Sequence, residues 1–161
     1  MTFQPIVPMS GYSGWAFLNR TMDSQKSTFN ESAIIKRDTE YFKENISSVK
    51  SASDLMSDRK LLSVALGAFG LDEDINSTFF VQKVLEDGII DSDALANKLS
   101  DKRYFEFSKA FGFGDFETPN TSLSTFPDEI IAKYQNTQFE AAVGEQDESM
   151  RLALNLDREL T

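Results

Sequence analysis

Three neighbouring carboxylates, at positions 72–74, are the residues of this chain whose types and spacing come nearest to a chemical site. A pair such as Asp72 and Asp74 could perform general acid–base catalysis if burial raised the pKa of one carboxyl group. No apolar pocket is implied beside them, and acidic residues at the start of a predicted helix stabilise the positive end of its dipole. We therefore expect these acids to begin a helix.

The same acids fit the start of a calcium-binding loop, with Asp72, Asp74 and Asn76 at positions one, three and five. Position six is Ser77, where the loop requires glycine. Position twelve is Lys83, where the loop requires a bidentate glutamate. Because both departures affect residues on which the loop depends, the sequence predicts no calcium site.

The chain contains no histidine and no cysteine, so it lacks the commonest general base, the commonest metal ligand and any thiolate nucleophile. Gly112 and Gly114 resemble part of a nucleotide-binding loop, but the third glycine of that motif is absent. We predict that the protein is not an enzyme, with no catalytic, metal-binding or cofactor-binding residues and no cofactor.

The formal net charge is −10, and the basic residues form no cluster. Phosphate binding requires clustered lysine and arginine, so the composition argues against nucleic acid as a partner. No apolar stretch is long enough to cross a bilayer, and we predict no membrane insertion. Apolar residues at 40% and charged residues at 26% are typical of a globular protein.

One short sequence pattern occurs twice. Residues 58–62 read Asp-Arg-Lys-Leu-Leu and 68–71 read Ala-Phe-Gly-Leu, whereas 101–105 read Asp-Lys-Arg-Tyr-Phe and 110–113 read Ala-Phe-Gly-Phe. We call 58–71 and 101–113 the first and second copy. Each predicts a buried helix that begins at an acid and ends at a glycine, with the following apolar residue folded back on the last turn. An internal duplication of 54–71 and 95–113 is one interpretation.

Apolar residues recur elsewhere at helical spacing, and alternating β-branched runs are rare, so we predict an all-α fold. The expected architecture is a single compact multi-helix bundle of about six to eight helices with an extended N-terminal arm. The arm, rich in proline and glycine, is predicted over 1–14 as extended or disordered, and the helical domain over 15–161. A helix over about 75–86 is expected to face inward through Phe79, Phe80, Val84 and Leu85.

Two apolar groups at the ends of the helical domain stand out. The first group interrupts the polar start of the domain, where residues 15–46 are predicted to form either one long helix or two. The other lies in the last helix, which is amphipathic and has no stop signal, so we expect that the chain was shortened or that this helix completes its packing in an assembly. The candidate protein-contact residues are Trp15, Phe17, Leu18, Leu152, Leu156 and Leu160.

Three segments carry a resemblance to a known family: the run 66–72 (Leu-Gly-Ala-Phe-Gly-Leu-Asp), the run 83–86 and the second copy. Over roughly 47–160, the chain resembles a bacterial domain of unknown function whose genes tend to lie among flagellar genes. The pattern of that family tends to continue past the last helix of this chain. The resemblance implies a helical protein of the flagellar system and assigns no catalytic residue.

The first hypothesis is therefore a flagellum-associated structural or assembly protein that acts through protein–protein contacts. The alternative is a cytoplasmic chaperone-like or regulatory module that binds a flagellar export client in an apolar groove with an acidic rim. Since the N-terminal residues do not resemble a cleavable signal, we expect a cytoplasmic protein or one exported to the flagellum without such a signal.

Overall fold

The structure is a computed structural model that describes residues 3–160, and within that range it is all-α, as predicted. Short 3₁₀ turns cover Ile46–Ser48, Asp72–Asn76 and Asn120–Ser122. The described residues form nine α-helices: α1 (Gly11–Asn30), α2 (Ala33–Asn45), α3 (Ala52–Met56), α4 (Arg59–Ala68), α5 (Thr78–Asp87), α6 (Leu95–Lys98), α7 (Arg103–Phe111), α8 (Phe126–Gln146) and α9 (Glu148–Leu160).

The helices group into two compact units. One is Asp38–Tyr134, which we call the central unit, and the other, the terminal unit, combines the residues before Asp38 with those after Tyr134. The boundaries lie inside α2 and α8. Both copies of the repeated pattern therefore belong to the central unit, and the two groups of candidate contact residues belong to the terminal unit.

The first copy forms α4 with the caps that the sequence predicts. Asp58 is the N-cap, and its Oδ1 accepts from the backbone N–H groups of Lys60 and Leu61 at 3.1 Å. At the other end Gly70 has a φ of +72°, and the N–H of Leu71 donates to the Leu66 carbonyl at 2.9 Å. This bond closes a Schellman motif, in which glycine adopts the left-handed conformation without steric cost.

The second copy forms α7 and contacts the first. Asp101 accepts from the N–H of Arg103, and the helix ends at Gly112, whose φ is +70°. The guanidinium of Arg103 also donates to the carbonyl oxygen of Gly70 at 2.6 Å. The second copy thus satisfies a carbonyl at the end of the first copy's helix, where cationic donors are favourable.

The orientation predicted for Phe79 was wrong. Its side chain is 91% exposed, whereas Val84 and Leu85 are buried as expected and Phe80 is half-buried against the ring of Tyr104. A 3₁₀ turn takes up Asp72–Asn76, and α5 begins only at Thr78 with Val81, Val84 and Leu85 facing the core. Phe79 lies two residues from Val81, about 200° around the helix, and so points to solvent.

In the terminal unit, the chain has no regular structure over 3–10, and α1 begins at Gly11. The first helical turn thus includes two glycines that the sequence analysis placed in the arm. The first two residues of the predicted arm and the last residue of the predicted domain lie outside the described residues. The region predicted as one or two helices is two, because the first ends at Asn30 and the second begins at Ala33.

Candidate functional site

The last helix, α9, is fixed to the terminal unit along one face. Met150 and Leu154 are buried there at 3% and 6% exposure, and Arg158, the next residue in this row, pairs through Nε with the buried carboxylate of Glu140 at 3.3 Å. Residues four apart lie on the same side of a helix, so these three side chains define one inner face. The inner face therefore holds α9 over about two turns.

The opposite face of α9 carries the three predicted leucines. Leu152 is 64% exposed, Leu156 61% and Leu160 78%. They are also spaced four apart, about 200° around the helix from the inner face. We call this row the outer leucine face. The spacing of the three leucines alone determines that they share one row, and the structure shows that this row is exposed.

The candidate residues of α1 divide into two groups. Leu18 is 0% exposed, so it belongs to the core of the terminal unit and offers no surface to a partner in this structure. Trp15 and Phe17 are half-buried, and the guanidinium carbon of Arg20 lies 5.4 Å from the centre of the Phe17 ring. Both keep some accessible surface, whereas the outer leucine face is the more exposed of the two predicted groups.

Asp147 fixes the start of α9. Its Oδ1 accepts from the backbone N–H of Ser149 at 3.0 Å, from that of Met150 at 3.4 Å and from the Ser149 hydroxyl at 2.5 Å. The bond from the Ser149 hydroxyl, followed by those from the two backbone groups, lowers the pKa of the Asp147 carboxyl below its ordinary value. The ionised carboxylate is therefore the form that caps α9.

Stability conferred by this cap should depend on pH. A carboxyl whose pKa is lowered in the folded state stabilises that state above its unfolded pKa, about 4, and loses the contribution as the pH falls through the folded value. We expect Asp147→Ala to speed hydrogen exchange of α9 amides at pH 7, with the difference from wild type shrinking in acid. Hydrogen exchange followed by mass spectrometry measures this. Asp23→Ala, at an exposed acid of α1, is the control, and a pH-independent difference would contradict the assignment.

The carboxylates at 72–74 do not begin the helix that the sequence predicts. They lie in the 3₁₀ turn Asp72–Asn76, and α5 begins at Thr78 with no acid in its first turn. Asp74 accepts from the phenol of Tyr104 at 2.5 Å, and this bond, with burial as the next contribution, raises the pKa of Tyr104 to about 12. The phenol is thus a hydrogen-bond donor at neutral pH. In the part of the chain that the structure describes, no three acidic residues are grouped so that they could hold a metal ion.

The structure also contains an acidic cleft that was not predicted from the sequence. It has a volume of about 750 Å³ in the central unit, and its acids come from α5 and from loops far apart in the sequence. Asp115 accepts from the N–H groups of Ile89 and Ile90, and Asp87 accepts from that of Leu95. The bond from Leu95 is the main cause of a lowered pKa at Asp87. Since these two carboxylates hold the loops, the cleft is built as a structural junction.

No helix within the described range 3–160 is both long enough and apolar enough to cross a membrane.

Comparisons with known proteins agree with the resemblance to a domain of unknown function. A comparison with curated proteins finds no match. The crystal structure of protein AGR_C_984 from Agrobacterium tumefaciens is 30% identical in sequence and superposes with a TM-score of 0.84, over 98% of this chain and 70% of that one. The family described as "Protein of unknown function (DUF1217)" matches residues 68–161. Since that match covers more than half of the sequence, the chain belongs to the DUF1217 family.

Proposed function

We propose that this protein is a non-enzymatic structural or assembly component that binds another protein through the outer leucine face of α9. The observation that carries the proposal is that α9 is apolar on two opposite sides. Its inner face is buried against the terminal unit, while its three outer leucines are 61–78% exposed. A helix with apolar residues on both sides is typical of a middle layer, with a further layer packed on its outer side.

The partner that fits this face is an amphipathic helix of another protein. Leucines four residues apart form a straight ridge of the kind that helix-in-groove recognition uses. Glu148 continues the row at its N-terminal end, and Glu159, whose carboxylate lies 3.6 Å from the guanidinium of Arg158, flanks it near the C-terminal end. The chain as a whole carries a net charge of −10. Charge complementarity therefore favours a partner helix whose apolar stripe is bordered by lysine or arginine.

The flagellar part of the proposal comes from the sequence. The run 66–72 and the second copy resemble a domain whose genes tend to lie among flagellar genes, and the chain belongs to a family of unknown function. A flagellar structural or assembly role is the activity that this context supports best. It would place the partner helix in a component of the organelle.

The alternative, a chaperone-like module for an export client, requires an apolar groove with an acidic rim. The cleft of the central unit supplies acids, but its apolar lining consists only of Ile90 and Ala94. The outer leucine face is the more apolar of the two surfaces, and for that reason we place the structural or assembly role first.

The proposal is tested by quantitative mass spectrometry of purified hook-basal bodies and filaments, set against cytoplasm of the same cells. We expect near-stoichiometric enrichment of the wild-type protein in the organelle. Leu156→Glu should lower that enrichment about tenfold or more, since it places a charge in the centre of a desolvated contact. Phe79→Glu is the control, because it introduces the same charge at an exposed apolar side chain of the other unit.

Two outcomes would contradict the proposal. Confinement of the wild-type protein to the cytoplasm would remove the organelle component and favour the chaperone-like alternative. Enrichment that Leu156→Glu leaves unchanged would show that the leucine face is not the contact. Thermal melts of both purified variants should match wild type, because neither side chain is buried.

A further inference from the structure

The extended residues before α1 are held by two glutamine side chains. Gln25 of α1 donates from Nε2 to the carbonyl oxygen of Ile6 at 3.0 Å and accepts from the Ile6 N–H at 2.6 Å. Gln146, the last residue of α8, donates to the carbonyl oxygen of Pro5 and accepts from the N–H of Val7 at 3.3 Å. Each amide thus binds a backbone donor and a backbone acceptor, as a neighbouring β-strand would.

The receiving side of this contact is pre-organised. Gln25 is 7% exposed, and its Nε2 also donates to the hydroxyl of Thr21 at 2.9 Å. That hydroxyl in turn donates to the Phe17 carbonyl at 2.8 Å, which fixes the orientation of the amide. A buried amide without backbone partners would be costly, so the site is suited to an extended peptide. We call Gln25, Gln146 and Thr21 the arm site, and residues 3–10 the arm.

The turn that brings the arm back to its own site depends on glycine. Gly11 has a φ of +68°, and a Cβ there would meet no heavy atom within 4 Å. The arm also packs tightly against the first turn of α1, because a Cβ on Gly14 would overlap the carbonyl group of Met9. Glycine is therefore required at position 11 because of its left-handed backbone conformation, and not because space for a side chain is lacking.

We propose that the arm site also receives the arm of a second copy of this chain, which gives a dimer with exchanged arms. The arm that fits the site is present in every copy, and the exchanged form keeps the backbone hydrogen bonds of Gln25 and Gln146. Pro5 and Pro8 restrict the arm to extended conformations, which lowers the entropy lost on docking. The exchange differs from the proposed contact of α9 in its residues and in its partner, and it does not depend on that contact.

Gly11→Ala separates the two forms. The folded-back arm needs a positive φ at residue 11, whereas an arm that reaches a neighbouring copy is free to extend there. Each relieved hinge contributes about a tenfold factor, and an exchanged dimer contains two, so we expect a dimerisation constant about a hundredfold larger than wild type. Sedimentation equilibrium of the full chain over a series of concentrations measures this change.

Cross-linking identifies the contact within the dimer. The chain contains no cysteine, so Gln4→Cys and Glu145→Cys each introduce a unique thiol, one beside Pro5 and the other beside Gln146. The two single-cysteine chains, each also carrying Gly11→Ala, are mixed and treated with a short bismaleimide. We expect a cross-linked heterodimer that Gln25→Ala or Gln146→Ala in the Glu145→Cys chain strongly reduces. Gln82→Ala, which removes a glutamine of α5 that bonds to Glu86, should leave it unchanged.

A Gly11→Ala chain that stays monomeric at all concentrations would overturn the proposal. So would a dimer without the cross-linked heterodimer, because its contact would lie elsewhere. The chain with Gln4→Cys and Glu145→Cys together reports the folded-back arm by an intrachain cross-link. Gln146 is exposed, so its alanine variant tests the arm site even if Gln25→Ala disturbs the fold.

Discussion

Replacing Phe111 with alanine is expected to lower the free energy of unfolding of the central unit by about 3–5 kcal/mol. The side chain is 0% exposed, and its ring centre lies 5.3 Å from that of Phe107, 5.4 Å from that of Phe113 and 5.1 Å from that of Phe126. Truncation would leave a cavity and remove three ring–ring contacts, each worth about 0.5–1.5 kcal/mol beyond area burial.

Urea unfolding followed by circular dichroism measures this change. Phe79→Ala is the control, because it removes the same side chain at a position that is 91% exposed, and it should shift the unfolding free energy by about 0.5 kcal/mol or less. Equal effects of the two substitutions would contradict the assignment of Phe111 to the core.

Phe139→Ala should have a similar effect, about 3–5 kcal/mol, on the terminal unit. Phe139 is 1% exposed, and its ring meets that of Phe29 edge to face with the centres 5.6 Å apart. The ammonium group of Lys26 lies 5.8 Å from the centre of the Phe139 ring, which adds a cation–π contact.

The single tryptophan, Trp15, belongs to the terminal unit, so its fluorescence reports unfolding of that unit. Tyr12→Ala is the matched control, because Tyr12 is an aromatic residue of the same unit and is 84% exposed. A fluorescence transition that Phe139→Ala leaves in place would show that this ring contributes little to the packing of α1 and α8.

The fold could be predicted from the sequence where local signals agree. In the first copy, an acid before a helical apolar pattern and a glycine after it specify both ends of α4, and Asp58 and Gly70 have the predicted roles. The second copy ends at Gly112 for the same reason. Such signals act within a few residues, so a single sequence contains all the information that they require.

The orientation of α5 needed information that the sequence did not show. Phe79 and Phe80 are neighbours of the same type, and only the helix start at Thr78 and the burial of Val81 determine which ring faces the core. The predicted end of the arm, at residue 14, differs from the observed start of α1 at Gly11 for a related reason. The glycines of 11–14 were interpreted as a sign of the arm, whereas Gly14 permits close packing of the arm on α1.

For the candidate contact residues, too, the sequence specifies some features and leaves others to the structure. The spacing of Leu152, Leu156 and Leu160 determines their common face, and the structure adds that the face is exposed. Leu18 follows the same kind of apolar pattern, yet it is buried. The arm site joins Gln25 and Gln146 to residues 19 and 141 positions away, respectively. No local pattern marks a glutamine that binds a distant backbone, so neither glutamine could be recognised from the sequence.

The hydrogen bond from Arg103 to the Gly70 carbonyl constrains how this protein can change in evolution. The two residues are 33 positions apart, and a bond of 2.6 Å requires the helices of the two copies to keep their mutual placement. Insertions within α5 or α7 would shift one partner, whereas the exposed turn at 91–93 could lengthen while both helices stay in place. Relatives that keep both residues are therefore expected to differ in length at that turn.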